Sequence, residues 1–487
     1  MNAPGEEQTN IVFILADQLR PDFLSCYGAQ FIETPHIDAL AKDGVLYSRA
    51  ISPSPICVPA RAALLSGRNA IEDGVMTNRY WHRPDLEQLG IRTWPARLSE
   101  QGYHTEAIGK MHFYPWDSRQ GFDHRVIAED KRHIGIEDDY AEYLWRQGFR
   151  KYHGNEHEGY FENKGAVVSL IPAEHYVDNW VSDRTCDFLE DAPASTPFAL
   201  MVGLPSPHCP YDPPAGYADR FSPNDMPPSI SPTELSGSFK EEFVRHKLKP
   251  WNQVDYGTFS EAQKRTVRAH YAGLVKLLDD AVGRIVQSLE RTGQLERTWI
   301  IVSSDHGDLL GDFDLIGKQL FYESSIRVPL IVRTPHRPSR NRVDTTVSLT
   351  DVTATMLTAA GVEPGPAVTD SVPLPGLGLA AEGEPREFVF GSTNLGCMVT
   401  DDRWKLCRYQ NGRVGLFDIV KDPQEQTNLA YSNAFLAVQK CLEAVLFDQI
   451  LSSITVSNRD KFVEAATPLG EGAFGKRGWR RPYPAKV

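Results

Sequence analysis

The sequence predicts an α/β protein: a large mixed, mostly parallel sheet sandwiched by helices, with a smaller C-terminal α+β subdomain built on an antiparallel sheet. Three observations predict it: apolar runs that end on polar residues, a long helical pattern between two of them, and short strand-like segments near the C-terminus. Strands that alternate with helices favour a parallel sheet covered on both faces. We expect domains at residues 1–370 and 371–455, then a terminal arm at 456–487.

Four apolar runs are predicted to be buried strands, and polar residues follow each of them closely. They are residues 11–16 before Asp17 and Gln18, 105–108 before Lys110 and His112, 197–204 before His208, and 299–302 before Asp305 and His306. Because the carboxyl ends of parallel strands meet at one edge of a sheet, these side chains should line one crevice. The stretch 123–175 is polar and irregular, and we interpret it as an inserted loop region near the mouth of that crevice.

The helical and C-terminal elements complete the prediction. Residues 261–289 repeat apolar positions at three- and four-residue spacing, as an amphipathic helix does. Beyond Gly361, a connector rich in proline and glycine leads to short segments, two of them separated by Asn411-Gly412, which is a strong hairpin signal. A small antiparallel sheet that ends in a helix near 434–451 should follow. The basic, aromatic arm is expected to pack on a neighbouring subunit of a homodimer or homotetramer.

The charge of the chain limits its partners. The formal net charge is −13, which argues against non-specific binding to nucleic acid or to an anionic membrane, since both need a basic face. The apolar run 11–16 is too short for a signal core or a membrane span, and no basic region precedes it. We therefore expect a cytoplasmic protein with no nucleic-acid or membrane partner. A small anionic substrate is still compatible with this net charge, because lysine, arginine or a metal ion at the site can outweigh the negative charge of the whole chain.

One of the seven cysteines has an unusual setting. Their number is odd and they lack CxxC spacing, so neither a disulfide framework nor a zinc site is predicted. Cys57, however, precedes a segment in which Pro59 suits the first turn of a helix and Gly67 its end. This predicts that Cys57 lies just ahead of the helix, facing its unpaired N–H groups. The alternative is an ordinary buried cysteine beside a capped helix.

The run Cys57-x-Pro59-x-Arg61, continued by Leu65 and Gly67, resembles the signature of the sulfatase family, within the alkaline-phosphatase-like hydrolases. In that family the signature directs enzymatic oxidation of the cysteine to formylglycine. Further segments agree in their order along the chain, and the resemblance covers all but the terminal arm. These segments are Thr34-Pro-His-Ile-Asp38, Gly109-Lys110-Met-His112, Pro207-His208, Asp305-His306-Gly307 and the region from Leu416 to Asn428.

The resemblance implies that a hydrated aldehyde at position 57 attacks sulfur, expels the alcohol, and collapses to release sulfate. Arg61 would orient the aldehyde, Lys110 would contact it and the sulfate, and His112 would accept the proton for collapse. His208 and Lys318 would contact the transferred group and help the leaving oxygen. The divalent cation would be held by Asp17, Gln18, the converted Cys57, Asp305 and His306. Taken singly, each is as compatible with a capped turn or an ordinary surface residue, and only their joint presence favours a site.

The substrate side is less specified. Related enzymes place an amide near the bound group where this chain has Asn78, close to Tyr80 and Trp81. Aromatic side chains could line an apolar mouth for the leaving group or could simply pack. The candidates are Tyr80, Trp81, Phe113, Trp116 and Tyr211.

Two departures from the common sulfatase pattern bear on metal and substrate. Many sulfatases have paired acids where this chain has Asp17-Gln18, and an Asp-Asn pair where it has Asp305-His306. The amide and the imidazole soften the site, so manganese becomes plausible beside calcium and magnesium. The same variants resemble the branch of choline sulfatases and phosphonate monoester hydrolases.

Three functions therefore follow from the sequence. The first is a sulfuric ester hydrolase acting on a small aryl or alkyl sulfate, which Lys110 and His112 favour. The second is a phosphonate monoester or phosphodiester hydrolase using the same formylglycine. The third is a catalytically silent relative that only binds an anion. The first two also require a formylglycine-generating enzyme as a maturation partner.

Overall fold

A computed structural model describes residues 8–83, 86–87, 90–233, 254–335, 341–379 and 386–459. The strands are β1 (Asn10–Asp17), β2 (Val45–Tyr47), β3 (Ala50–Ile51), β4 (His104–Gly109), β5 (His124–Ile127), β6 (Phe198–Pro207), β7 (Thr298–Ser304), β8 (Arg327–Val328), β9 (Leu330–Arg333), β10 (Arg342–Val343), β11 (Val347–Ser348), β12 (Val389–Thr393), β13 (Gly396–Thr400), β14 (Trp404–Tyr409) and β15 (Val414–Asp418). The helices are α1 (Pro35–Asp43), α2 (Cys57–Ser66), α3 (Ala70–Asp73), α4 (Trp94–Ser99), α5 (Asp139–Arg146), α6 (Val177–Asp191), α7 (Ala215–Ala218), α8 (Glu261–Arg291), α9 (Glu323–Ile326), α10 (Asp351–Ala359) and α11 (Leu436–Arg459).

The central sheet confirms the predicted architecture. Its eight strands lie in the order β10-β2-β9-β7-β1-β6-β4-β5. β1 lies between β6 and β7 and pairs with both in parallel, and β4 also runs parallel to β5 and β6. β9 is antiparallel to β2 and β7, which makes the sheet mixed. Three of the four predicted buried strands thus occupy its middle, and the fourth, β4, adjoins them.

The alternation of side chains along β1 explains how helices cover both faces. Every residue of β1 is buried. Val12 and Ile14 belong to a core that also contains residues of α1, α6 and α8, whereas Ile11 and Phe13 belong to a core with residues of α2, α4 and α10. Successive side chains of a strand point to opposite faces, so a run that is apolar throughout requires cover on both sides.

The C-terminal subdomain forms as the sequence predicts. β12, β13, β14 and β15 make an antiparallel sheet in sequence order, and α11 packs on it through Leu442 and Leu446. The turn at Asn411-Gly412 joins β14 to β15, with Gly412 in the left-handed conformation at a φ of 84°. The other face of the sheet shares a core with the larger domain, where Phe321 and Tyr322 lie with Met398 and other residues of the sheet.

Two expectations need correction. The stretch 123–175 is not a loop throughout, because it contains the edge strand β5 and the helix α5. The helix after the cysteine begins at Cys57 itself, after Ile56 at the N-cap, so the thiol belongs to the first turn instead of preceding it. Most of the terminal arm predicted at 456–487 lies outside the described residues.

The cysteine and membrane expectations concern described residues. All seven cysteines lie there, and none forms a disulfide. Among the helices described, none combines the length and the apolar character needed to cross a membrane.

Candidate active site

The polar residues that follow the buried strands meet at one edge of the central sheet. Asp17 ends β1, and Asp305 and His306 follow β7. Ligand atoms of Asp17, Cys57, Asp305 and His306 all lie within 4.8 Å of one another, and each of these residues is fully buried. We call these four residues the strand-end cluster. The register between β1 and β6 shifts between Ala16 and Asp17, and such irregularities re-aim a side chain at the end of a strand.

Cys57 reaches the cluster from the first turn of α2. The first N–H groups of a helix have no partner within it. Here the N–H of Val58 donates to Oδ1 of Asn78 at 3.0 Å, so Asn78 anchors the start of α2. Gly67 ends the helix in the left-handed conformation, at a φ of 70°. The thiol is thereby held on a rigid element, with its Sγ 3.8 Å from Oδ1 of Asp17.

The donor atoms of the cluster fit a divalent cation. Nδ1 of His306 donates to the carbonyl of Gly307 at 2.9 Å, so Nε2 faces the cluster and offers a lone pair to a metal when the ring is neutral. This Nε2 lies 3.6 Å from Oδ1 of Asp305 and 3.9 Å from Oδ1 of Asp17. Two carboxylates and an imidazole nitrogen that converge in this way are a set that manganese, magnesium or calcium can use.

Gln18 adjoins the cluster in a constrained conformation. Its backbone is left-handed, with a φ of 73°, and its N–H donates to Oδ1 of Asp305 at 3.0 Å. Its amide nitrogen donates to Asp308, and its amide oxygen accepts from Nζ of Lys318 at 2.5 Å. The amide oxygen therefore lies beside Lys318, while its role as a metal ligand stays a prediction.

Arg61 and Lys110 neutralise the acids from within the protein. The guanidinium of Arg61 contacts Oδ2 of Asp305 at 2.9 Å, Oδ2 of Asp17 at 3.2 Å and the carbonyl of Lys110 at 2.7 Å. Nζ of Lys110 lies 2.8 Å from Oδ2 of Asp17 and 2.7 Å from Oδ2 of Asp130. Gly203 permits this approach, because a Cβ there would lie 2.0 Å from the carbonyl oxygen of Lys110.

The thiol of Cys57 lies beside two basic side chains. Its Sγ is 3.2 Å from Nζ of Lys318 and 3.2 Å from Nε2 of His306. Burial raises the pKa of the thiol, but the charges of Lys318 and His306 outweigh burial and lower this pKa well below its ordinary value. Residue 57 is thus placed where negative charge on its side chain is stabilised.

Two imidazole nitrogens of the site have no protein partner within the described chain. They are Nε2 of His208 and Nδ1 of His112, both buried. Nδ1 of His208 donates to the carbonyl of Cys209 at 2.6 Å, and its Nε2 lies 3.9 Å from Oδ1 of Asp17. Leaving a buried polar atom unpaired costs about 1–3 kcal/mol, so such atoms indicate a place for a ligand.

The two acids of the cluster differ in their proton affinity. Burial and the nearby thiol raise the pKa of Asp17, but Lys110, His208 and Lys318 outweigh them, and the net direction is downward. For Asp305, burial and the carboxylate of Asp17 leave the pKa raised. Close carboxylates with separated pKa values are typical of a cation site or an active site.

Comparison with known proteins decides the family. The sequence pattern of the sulfatase family matches residues 9–362. The chain belongs to the sulfatase family. An arylsulfatase of Clostridium perfringens is 30% identical over 91% of this chain and 94% of its own length. A choline-sulfatase of Rhizobium meliloti is 30% identical over 86% of this chain and 82% of its own. Both agree with the sulfuric ester hydrolase that the sequence predicted.

The fold of this sulfatase also matches solved structures. The crystal structure of a phosphonate monoester hydrolase of Agrobacterium radiobacter superposes with a TM-score of 0.76 at 23% identity, covering 92% of this chain and 96% of the other. This likeness shows that the two proteins share a fold.

The substrate side of the sulfatase differs in part from expectation. Trp81 is half-buried and packs 5.4 Å from the ring of Phe113 and 6.4 Å from that of Tyr114, while Tyr80 is 58% exposed. Phe113 and Tyr211, which the sequence offered as mouth residues, are buried. The hydroxyl of Tyr211 donates to Asp308 at 2.6 Å, so it supports the loop of Asp308 instead of lining a mouth.

Sequence reasoning missed two buried acids of this sulfatase. Asp130 binds Lys110 and is also paired with Arg132 at 2.5 Å. Asp308 binds the amide of Gln18. Both had a signal: Asp130 follows the apolar run 126–128 as Asp17 follows its own strand, and Asp308 is only three residues beyond Asp305.

Proposed function

We propose that this sulfatase hydrolyses small aryl or alkyl sulfate esters, with residue 57 as the nucleophile after oxidation of Cys57 to formylglycine. The observation that carries the proposal is the position of Sγ, because the converted residue would present its oxygens at about the same place. That position lies 3.2 Å from Lys318 and 3.8 Å from Asp17. It combines cationic groups for a sulfate with carboxylates for a metal.

Asp17, Asp305 and His306, with Gln18, would hold one divalent cation. Bound there, the cation would lower the pKa of a coordinated oxygen and make it a better nucleophile. The imidazole and the amide favour manganese over calcium, with magnesium as a further candidate. The support for this set is the convergence of the buried donor atoms of the strand-end cluster.

The remaining residues would bind the anion and move protons. Nζ of Lys318 and Nζ of Lys110 can donate to sulfate oxygens, and Arg61 orients the acids that surround residue 57. The unpartnered Nε2 of His208 would donate to the leaving oxygen once the ring is protonated, because Nδ1 already donates to the carbonyl of Cys209. His112 can accept the proton whose removal regenerates the aldehyde. Preorganised donors of this kind are worth roughly 10²–10³ each in turnover.

Asn78, Trp81 and Tyr80 are proposed to flank the alcohol portion of the ester. Asn78 is tied to the start of α2, so it borders residue 57 directly. Trp81 packs with Val58 and Ala62 of α2 and can offer an apolar surface to an aryl or alkyl group. Tyr80 is the most exposed of the three and would contact only a larger leaving group.

A substrate panel tests the proposal. Purified protein, loaded with Mn²⁺ and then in parallel with Ca²⁺, is assayed on an aryl sulfate, an alkyl sulfate, an aryl phosphonate monoester and a phosphodiester. We expect the highest kcat/KM on a sulfate. Cys57→Ala should lose roughly 10⁴-fold or more in turnover, since it removes the nucleophile. The matched control Cys441→Ala changes an exposed cysteine on α11 and should keep the wild-type rate.

The second candidate is a phosphonate monoester or phosphodiester hydrolase. It is favoured by Gln18 and His306, which replace the acid and the asparagine of many sulfatases, and by the fold shared with the phosphonate monoester hydrolase. A higher kcat/KM on the phosphonate or the diester would select it over the sulfatase activity. A protein that turns over none of the four esters would be the silent anion binder.

Maturation, assembly and location complete the proposal. Conversion of Cys57 requires a formylglycine-generating enzyme in the host. We propose a homodimer or homotetramer in which the terminal arm contacts a neighbouring subunit, within the cytoplasm. Deletion of residues 475–487 should then reduce the number of subunits per particle, measured as the molar mass in solution divided by the mass of the shortened chain. An unchanged number of subunits would count against the role of the arm.

A further inference from the structure

We infer that Asp308 is a positioning residue that fixes the amide of Gln18, with its oxygen toward Lys318 and the cation site and its nitrogen away from them. This inference rests on the proposed function only for the presence of a cation. Asp308 is fully buried and follows β7 on the same strand-end segment as Asp305. The resemblance of the sequence to sulfatases assigned no role to Asp308.

The orientation of the amide follows from the chemistry of its two neighbours. The carboxylate of Asp308 can only accept hydrogen bonds, so the group of Gln18 that contacts it must be the NH₂. The ammonium of Lys318 can only donate, so the group that contacts it must be the amide oxygen. Both neighbours demand the same orientation. With the amide reversed, the NH₂ would face an ammonium and a cation, and an oxygen would face a carboxylate.

Asp308 is itself anchored by the backbone. Its Oδ1 accepts from the N–H of Leu310 at 3.1 Å and from the N–H of Gly317 at 2.6 Å. Gly317 precedes Lys318, so one carboxylate sets both the loop that carries the lysine and the amide that the lysine contacts. Only its Oδ2 remains for side chains, and it accepts from Gln18 and Tyr211.

The backbone of Gln18 supports the same view. A left-handed conformation is uncommon for a residue other than glycine, asparagine or aspartate, and it persists where the surroundings determine it. The carbonyl of Gln18 accepts from the hydroxyl of Tyr271 at 2.7 Å. The backbone and the side chain of Gln18 are therefore both held in one conformation, and metal ligands are usually oriented in this way by their neighbours.

Titration of the metal-free protein with MnCl₂, followed by calorimetry, tests the inference without using catalysis. In Asp308→Asn the oxygen should keep the two backbone bonds, so its new NH₂ faces Gln18 and forces the amide to reverse. We expect Mn²⁺ affinity to fall roughly 10–100-fold, as is usual for groups that orient a metal ligand. The double variant Gln18→Glu with Asp308→Asn keeps the net charge and again presents an oxygen to Lys318. It should bind Mn²⁺ within roughly tenfold of wild type.

The control Asp130→Asn removes a buried negative charge beside Lys110 but leaves the amide of Gln18 untouched. It should lose less affinity than Asp308→Asn. Equal losses in the two single variants, wild-type affinity in Asp308→Asn, or no recovery in the double variant would overturn the inference. So would an Asp308→Asn protein that fails to fold and is not rescued in the double variant, because the carboxylate would then serve the loop alone. Wild-type protein that binds neither Mn²⁺ nor Ca²⁺ would instead contradict the metal in the proposed function.

Discussion

Two buried lysines of this sulfatase have almost the same immediate surroundings. Nζ of Lys110 lies 2.8 Å from Asp17 and 2.7 Å from Asp130, and its side chain is 1% exposed. Nζ of Lys405, on β14, lies 2.8 Å from Glu323 and 2.6 Å from Glu425, and its side chain is 0% exposed. Each lysine is therefore a buried cation between two carboxylates. Burial and pairing alone do not distinguish a catalytic group from a structural one.

The difference lies in what else each cluster contains. Around Lys405, Arg49 pairs with Glu323 at 2.7 Å, and the N–H of Glu323 donates to Glu425 at 2.7 Å, so charges of the two domains balance across their junction. Around Lys110, the ligand atoms of the strand-end cluster converge on one another, and two imidazole nitrogens nearby lack a partner within the described residues. Converging ligand atoms and unpartnered imidazole nitrogens therefore distinguish the candidate active site from the structural cluster around Lys405.

Lys405→Met should have the largest effect on stability. Glu323 keeps its ion pair with Arg49, but Glu425 loses its ion pair with Lys405, and removing one partner of a buried ion pair typically costs about 3–5 kcal/mol. Denaturant unfolding should show a lower midpoint, while kcat/KM of the protein that remains folded should stay at the wild-type value. A large loss of kcat/KM with unchanged stability would mean that the junction belongs to the active site, and the comparison would fail.

Lys110→Met should have the opposite profile. Asp130 keeps Arg132 and Asp17 keeps Arg61, so the free energy of unfolding should fall by less than in Lys405→Met. Sulfate ester turnover should fall by roughly 10²–10³-fold, as for other groups that stabilise a transition state. Steady-state kinetics and denaturant unfolding on the same preparations give both values. Wild-type turnover would remove Lys110 from the catalytic residues.

The pH dependence of stability gives the smallest effect when two conditions one pH unit apart are compared. Burial raises the pKa of Glu425 to about 7, although Lys405 opposes this shift. In the unfolded chain the pKa of a glutamate is about 4.3. Between this pH and about 7, the folded protein therefore holds a proton that the unfolded chain has lost. The free energy of unfolding therefore falls as pH rises from about 4.5 to 7, by at most ~1.4 kcal/mol per pH unit from this group.

Glu425→Gln removes this titration. Its free energy of unfolding should depend less on pH between about 5 and 7 than that of wild type, because its amide carries no proton to lose. Asp370, whose pKa burial also raises to about 7, remains in both proteins and cancels in the difference. Parallel curves for the two proteins would show that Glu425 does not titrate in this range.

Much of the site could be predicted from the sequence because it follows a simple rule. Fully apolar strands in the middle of a parallel sheet end at one edge, so Asp17, Lys110 and Asp305 had to lie near one another. The turn chemistry of Gly67 and Asn411-Gly412 was local and equally readable.

The rest depended on contacts between distant parts of the chain. β5 is an edge strand with exposed His124 and one buried residue, so its pattern did not stand out and Asp130 was missed with it. The orientation of the Gln18 amide depends on Asp308, which is 290 residues away. The burial of Phe113 and Tyr211 likewise followed from packing, which the composition of an aromatic segment does not specify.

The mass of the peptide that contains residue 57 tests the central claim most directly. In protein active on sulfate esters, we expect this peptide to carry one oxygen in place of sulfur and two hydrogens fewer, as formylglycine requires. The activity of different preparations should rise in proportion to the converted fraction. A fully active preparation in which Cys57 is unmodified would contradict the account.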